Sequence, residues 1–409
     1  MFLHADRRAA RPQALPPGDG AGVDPSQRLP RLVGGRVETA VALACLSVVV
    51  VGCGSIGARV ALGLARLGVR ALLLVDFARH KPAGLVTHDI TPDEVGRSKV
   101  ACLGERARAL LPTADVRVFE GPVGDLRDGD VDGADLVVLA TDDLLAEVQA
   151  GAMAQRLGLR LVQAAVDGAT LVAQVRTWPH AEGGADACLA CGFGPAEWAA
   201  LDAGTRYSCA GDDGAPALQQ RLGLPTRSAG PLCSLAADMA LLGVLRHVTG
   251  VGGVGAASLT EHAGLVDRTT VTPLRRNPRC RADHAVPQRA WLLRPLEEHS
   301  PLELLEAAGG EGTRQWSLTV DGYDLAVTPS CSCPDSGVVP RFLPTVGESP
   351  ACPNCSAPLL AGPWARRREV PGELLAPVIH VPLRDLGAVD PVLVTVDAGS
   401  GRVLLGENS

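Results

Sequence analysis

No apolar run in the chain approaches the roughly 20 residues that cross a bilayer, so a membrane-embedded protein is not expected. Residues 39–51 are apolar, but they follow a long polar segment and run into a glycine turn; they read as a helix end and a core strand rather than a signal peptide. An excess of one charge is also lacking. Against 45 Asp and Glu stand 38 Lys and Arg, a formal charge of −7, which gives no electrostatic case for nucleic acid. Aromatic residues are scarce, and the chain is instead rich in Ala, Gly, Arg and Pro. No internal repeat is evident. These absences make the cytoplasm the expected compartment.

What is present is length enough for two or three domains and a sizeable core, at 409 residues. Twelve cysteines are present. Several fall in short-range pairs: Cys188-x-x-Cys191, Cys331-x-Cys333 and Cys352-x-x-Cys355. In a reducing compartment such pairs read as metal ligands rather than disulfides.

The stretch Leu46–Asp76 carries the strongest local signal. An apolar run over 47–51 reaches a glycine turn, an Ala/Leu-rich helix follows, and a second apolar run ends in Asp76. This is one β-α-β unit with a G-x-G-x-x-G turn at Gly52, Gly54 and Gly57. The first glycine permits the tight turn, the second lets backbone N–H groups approach a phosphate, and the third lets helix and strand pack closely. The helix start offers unpaired N–H groups to an anion. Asp76 stands about 20 residues beyond, where a carboxylate can accept from ribose hydroxyls.

Around that unit, residues 1–27 are polar, Pro- and Gly-rich and aperiodic, and read as a disordered N-terminal segment. A lead-in loop and short helix are expected over 28–45. Beyond Asp76 comes a loop over the carboxyl ends of the strands, then a helix over 95–111 with Lys99 in its first turn. Strands are expected over 115–121 and 134–143, the second ending in Asp142 and Asp143. One of these acids caps the helix that follows, over 144–158; the other is placed to face Mg²⁺ or a nucleotide. Two strands joined at Asp167-Gly168 form a hairpin, so the sheet changes from parallel to antiparallel. Cys188-x-x-Cys191 follows, then a polar loop with Cys209, a long apolar helix over 229–248 that buries Cys233, and two edge-like strands over 255–274. From about residue 287 the segments become short and proline-rich. Strands are expected there over 378–383 and 392–405.

The order of glycine turn, switch to antiparallel strands and Cys-x-x-Cys resembles the ThiF/MoeB/ubiquitin-activating superfamily of adenylyltransferases. The stretches LVTHDITPDEVGRSKV, VVLATDD, CLAC and RNPRC carry the similarity, over roughly residues 30–285. It implies an α/β fold, with a Rossmann-like adenylation domain and a mixed parallel/antiparallel sheet over 28–286; the shift of character beyond it and the Cys pairs there read as a small zinc-binding C-terminal domain over 287–409. It further implies that ATP and Mg²⁺ adenylate the C-terminal carboxylate of a ubiquitin-like or sulfur-carrier protein, or of a peptide, within a homodimer. By resemblance Gly52, Gly54 and Gly57 form the phosphate turn, and Asp76 holds the ribose. Lys99 contacts phosphate, Asp142 holds Mg²⁺, and Cys209 stands where relatives form a thioester or acyl-persulfide. The family's Asn-Leu-x-Arg reads Gly84-Leu85-Val86-Thr87 here. A hydroxyl cannot replace a guanidinium's charge or bidentate grip. His88, His80, Lys81, Arg28 and Arg31 are the available substitutes.

Two zinc sites are expected. Cys188 and Cys191 make a half-site by spacing; by resemblance to the family's second Cys pair after R-N-P, Cys280 and His284 close it, with Asp283 as second choice for the last ligand. Cys331, Cys333, Cys352 and Cys355 make the other, a ribbon or knuckle in a core-poor domain; alternatively Cys352 and Cys355 complete the site of Cys188 and Cys191. Either zinc would be structural. Two rival functions remain open: a nicotinamide- or flavin-dependent oxidoreductase, and a non-catalytic partner or scaffold with the adenylation fold.

Overall fold

A computed structural model describes residues 37–179, 187–203, 229–250, 255–310, 315–327, 340–345, 352, 355–357, 366–399 and 401–407. The expectations for residues 1–27, Arg28, Arg31, Cys209, Cys331 and Cys333 fall outside them. The chain divides into two compact units. One ends at Leu126 and resumes over Val131–Ala285; the other comprises Arg127–Asp130 and the residues from Val286 onward.

The first unit is built on an eight-stranded sheet in the order β3-β2-β1-β4-β5-β6-β7-β8. Its strands are β1 Ser47–Val51, β2 Ala71–Val75, β3 Asp115–Phe119, β4 Leu136–Leu139, β5 Arg160–Asp167, β6 Val172–Trp178, β7 Ser258–Ala263 and β8 Arg268–Pro273. The pairings from β3 to β5 are parallel, and those from β5 to β8 antiparallel. Every residue of β1 and β2 is buried, as expected of parallel strands covered on both faces. The edge strand β8 is exposed throughout.

Helices cover this sheet: α1 Val37–Cys45, α2 Gly57–Leu67, α3 Lys99–Leu110, α4 Leu144–Arg156, α5 Pro195–Asp202 and α6 Gly230–Thr249. In α2 the buried Val60, Ala61, Leu64 and Ala65 fall at helical spacing. Gly68 ends it in a left-handed conformation and returns its N–H to Ala65 and Leu64. The 20-residue α6 is long and apolar enough to cross a membrane by length and composition, which the reading of apolar runs did not anticipate. Its buried face, including Cys233, Ala236, Ala240 and Val244, belongs to the same core as β1, β2 and α2.

Three boundaries differ from expectation. The helix expected from residue 95 begins at Lys99, because Gly96 turns the chain at φ +87° after a 3-10 turn over Pro92–Glu94. The hairpin between β5 and β6 turns over 168–171, with Leu171 at φ +51° and Asp167 accepting from Ala169 N. Residues 378–383 form turns after a 3-10 helix over Ala376–Val378, not a strand.

The second unit holds β9 Gln288–Leu292, β10 Ser317–Val320, β11 Tyr323–Ala326, β12 Arg341–Pro344, β13 Arg366–Arg367, β14 Val370–Pro371, β15 Leu393–Asp397, β16 Arg402–Glu407 and the short helix α7 Pro301–Ala307. These strands form a five-stranded sheet, β14-β10-β15-β16-β9, and a three-stranded one, β12-β11-β13. The unit is not core-poor. Leu296, Leu304, Leu318, Leu325, Phe342 and Leu405 are fully buried in a cluster of its own.

Candidate functional site

The carboxyl ends of β1, β2 and β4 bring the glycine turn, Asp76 and the Asp142 pair to one edge of the sheet, since all three strands run parallel. Gly52 stands at φ +88°, and a Cβ there would lie 2.7 Å from the Ala140 carbonyl oxygen. A Cβ on Gly57 would fall 1.8 Å from the Gly52 oxygen. Both positions exclude a side chain. Gly54 is different: among the described residues, His88 Nε2 at 3.8 Å is what a Cβ there would meet within 4 Å. The space above the middle glycine is open with respect to those residues, and α2 begins beside it.

Asp76 is largely buried and fastens this turn. Its Oδ2 accepts from Cys53 N at 2.8 Å and its Oδ1 from Ala78 N at 2.8 Å. A carboxylate has about four acceptor positions, so capacity for sugar hydroxyls remains. Lys99 Nζ lies 3.9 Å from Asp76 Oδ2, and the lysine side chain is mostly buried. Lys99 is the first residue of α3 and is held there by its N–H to Ala78 O. Burial, reinforced by Asp76, pushes the Cys53 thiol well above its usual range, so this buried thiol is kept protonated.

Asp143 caps α4, its Oδ1 accepting from Leu145 N at 2.9 Å and Ala146 N at 3.2 Å. Asp142, one residue earlier, is exposed to solvent. Behind the pair, burial pushes Glu147 up to about 7, against a hydrogen bond from Gln163 and the charge of Arg176, with Asp142 and Asp143 adding to the rise.

The segment after Asp76 folds as a 3-10 helix over Pro82–Val86. Gly84 is buried and Thr87 follows the helix as its cap. The side chain that ties this segment to the turn is one the sequence reading passed over. Arg59, in the first turn of α2, donates to Thr87 O at 3.0 Å, to Ser55 O, and to Asp89 Oδ1 at 2.9 Å. Ser55 Oγ donates to Thr87 Oγ1 at 3.0 Å.

A second cluster lies in the same unit. Cys188, Cys191, Cys280 and His284 each offer a ligand atom, all within 4.8 Å of one another. Cys188 Sγ is 3.8 Å from Cys191 Sγ and 3.7 Å from Cys280 Sγ, and His284 Nε2 is 3.5 Å from both Cys188 and Cys191 sulfurs. A tetrahedron with arms of about 2.3 Å has sulfur–sulfur edges of about 3.8 Å. The donor set and its spacing therefore fit Zn²⁺ with no position left for water. Asn277 N donates to Cys191 Sγ at 3.3 Å. Asp283 instead accepts from Ala285 N, so His284 rather than Asp283 faces the thiols. Within this unit Cys188 and Cys191 meet Cys280 and His284. Cys352 is buried and Cys355 exposed in a tight turn in which Cys352 O accepts from Ser356 N; Cys331 and Cys333 lie outside the described residues.

Comparison with known proteins adds three findings. The ThiF family model matches residues 31–282. Among curated proteins, ubiquitin-like modifier-activating enzyme 5 of Culex quinquefasciatus is 29% identical over 160 residues, 36% of this chain and 39% of that protein. The ATP-dependent ubiquitin transferase-like protein Cap2 of Enterobacter hormaechei subsp. hoffmannii is 33% identical over 84 residues, 20% of this chain and 14% of that protein. The chain thus spans less than half the length of these relatives. Among solved structures, E. coli MccB with ATP is 17% identical, with a TM-score of 0.47 over 60% of this chain and 68% of that one.

Proposed function

Because this chain belongs to the ThiF family, we propose that it uses ATP and Mg²⁺ to adenylate a C-terminal carboxylate on a ubiquitin-like or sulfur-carrier protein or a peptide. The observation that carries this reading is the open glycine turn bounded by Asp76 and Lys99, with Asp142 at the end of the neighbouring strand. The names of the two curated relatives, both concerned with ubiquitin-like chemistry, support the substrate class. Asp76 would hold the ribose. The start of α2 and Lys99 would hold the phosphate chain, and Asp142 would hold Mg²⁺, which supplies positive charge at the α-phosphate when bound. The carboxylate attacks that phosphorus and pyrophosphate leaves. No general base is required, since the nucleophile is already ionised. The protein's contribution is alignment and charge neutralisation.

Transfer of the acyl group to Cys209, assembly as a homodimer, a structural zinc at Cys188, Cys191, Cys280 and His284, and a cytoplasmic setting belong to the same proposal. Substrate choice is open between carrier protein and peptide. A second reading, a nucleotide-binding partner without catalysis, is favoured by Gly84 and Thr87, which put no cation into the 3-10 segment.

The test is exchange of labelled pyrophosphate into ATP with a carboxylate-bearing candidate present. Adenylation predicts exchange that falls by about 10²–10³ in Asp142→Asn. ATP binding without exchange for any candidate favours the scaffold. A nicotinamide-dependent absorbance change instead of exchange favours an oxidoreductase.

A further inference from the structure

The imidazole of His88 lies between two glycines. Its Nδ1 edge rests on Gly84, whose ideal Cβ would be 3.1 Å away, and this nitrogen is buried with no hydrogen-bond partner among the described residues. Its Nε2 points the other way, to the open space above Gly54. Any ligand that approaches the middle glycine of the turn meets this nitrogen. The ring has little freedom to leave. His88 N is bonded to Gly84 O at 2.7 Å, and the residues on either side, Thr87 and Asp89, are the two that Arg59 grips from α2.

We propose that His88 contacts the phosphate chain of the bound nucleotide through Nε2, and that Arg59 is the positioning residue that holds it over Gly54. The inference rests on the nucleotide reading above and names a further group of that site. The groups facing the ring are Lys99 at the start of α3, His80 with its ring centroid 5.8 Å away, Arg59 on α2 and Asp76 at the end of β2. Burial, then Lys99 and His80, push His88 down to about 4, so without ligand the ring is neutral at neutral pH. A polyphosphate above Gly54 reverses that balance. The ring then takes one proton from solvent onto its free nitrogen and donates a charge-assisted hydrogen bond to a phosphate oxygen. Nucleotide binding is thereby coupled to proton uptake.

Calorimetric titration of the full chain with ATP·Mg²⁺, in two buffers of different ionisation heat near about pH 6.5, measures that uptake directly. The wild type is expected to gain a fraction of a proton beyond that gained by His88→Gln, which keeps an N–H donor but cannot titrate. His88→Ala is expected to bind ATP about tenfold more weakly. Arg59→Ala is expected to lose affinity and excess uptake together, and Arg59→Lys to recover part of both. Equal uptake in wild type and His88→Gln, or undiminished affinity in His88→Ala, overturns the proposal and leaves the nucleotide reading standing. Failure of the wild type to bind ATP at all overturns both.

Discussion

Gly54 and Gly57 stand three residues apart in one motif and do different physical work. A methyl group at Gly57 collides with the backbone of Gly52 at 1.8 Å, whereas among the described residues one at Gly54 meets a side chain at 3.8 Å. Gly57→Ala is therefore expected to lower stability by about 3 kcal/mol or more, because backbone must move. Gly54→Ala is expected to melt close to the wild type yet lose nucleotide affinity, since the methyl fills the approach to the turn. Thermal melting beside ATP titration separates the two; the reverse order would contradict the assignment of the open position. Glu147 supplies a second prediction at this scale. Its folded value, about 7, is raised from the ordinary 4.5. Below both values it is protonated in either state and has no effect. As pH rises between them, the unfolded chain ionises while the folded one keeps its proton, so stability falls by up to about 3 kcal/mol until pH passes about 7. Glu147→Gln removes that loss, which parallel pH series of chemical denaturation measure; identical slopes would contradict it. Asp76 and Lys99 were legible because the glycine spacing and the VGRSK stretch announce them. Arg59 was not, since an arginine in a helix is chemically mute until its partners, Thr87 and Asp89, are known.

At the scale of elements, long apolar patterns were read well and short mixed ones poorly. β1, β2 and α6 carry enough buried side chains to declare their period. The helix α3 is shorter than its apolar pattern, which runs back through Gly96, whose left-handed backbone ends any helix there. The stretch 378–383 looks like a strand but holds Pro382 and pairs with no strand among the described residues, and it turns instead. The cysteine cluster was legible as two half-sites. Which of Asp283 and His284 completes it depended on a local turn, in which Asp283 accepts from the Ala285 N–H. Because Cys188 and Cys191 precede α5 while Cys280 and His284 follow β8, one metal would clamp segments 92 and 96 residues apart. Cys280→Ser is expected to lose that metal and lower the melting temperature by several degrees, read by metal analysis and calorimetry. Full metal content with unchanged melting would refute the site.

At the scale of the molecule, the change of character near residue 287 was visible in composition, but the membership of Arg127–Asp130 in the second unit was not. Asp321 shows why that segment belongs there. It accepts from Asp128 N at 3.0 Å and Gly129 N at 2.7 Å, and burial raises it above the usual carboxylate range. No sequence pattern announces a partner nearly 200 residues away. Asp321→Ala leaves both N–H groups unpaired and is expected to cost the second unit about 1–3 kcal/mol, measured by denaturant unfolding. The proposed function rests on a carboxylate attacking the α-phosphate of ATP. The most direct test is to label the carboxylate of an exchange-active substrate with ¹⁸O and analyse the nucleotide product after the acyl group is released. Attack at the α-phosphate predicts one labelled oxygen in AMP; unlabelled AMP, or ADP as the product, would contradict it.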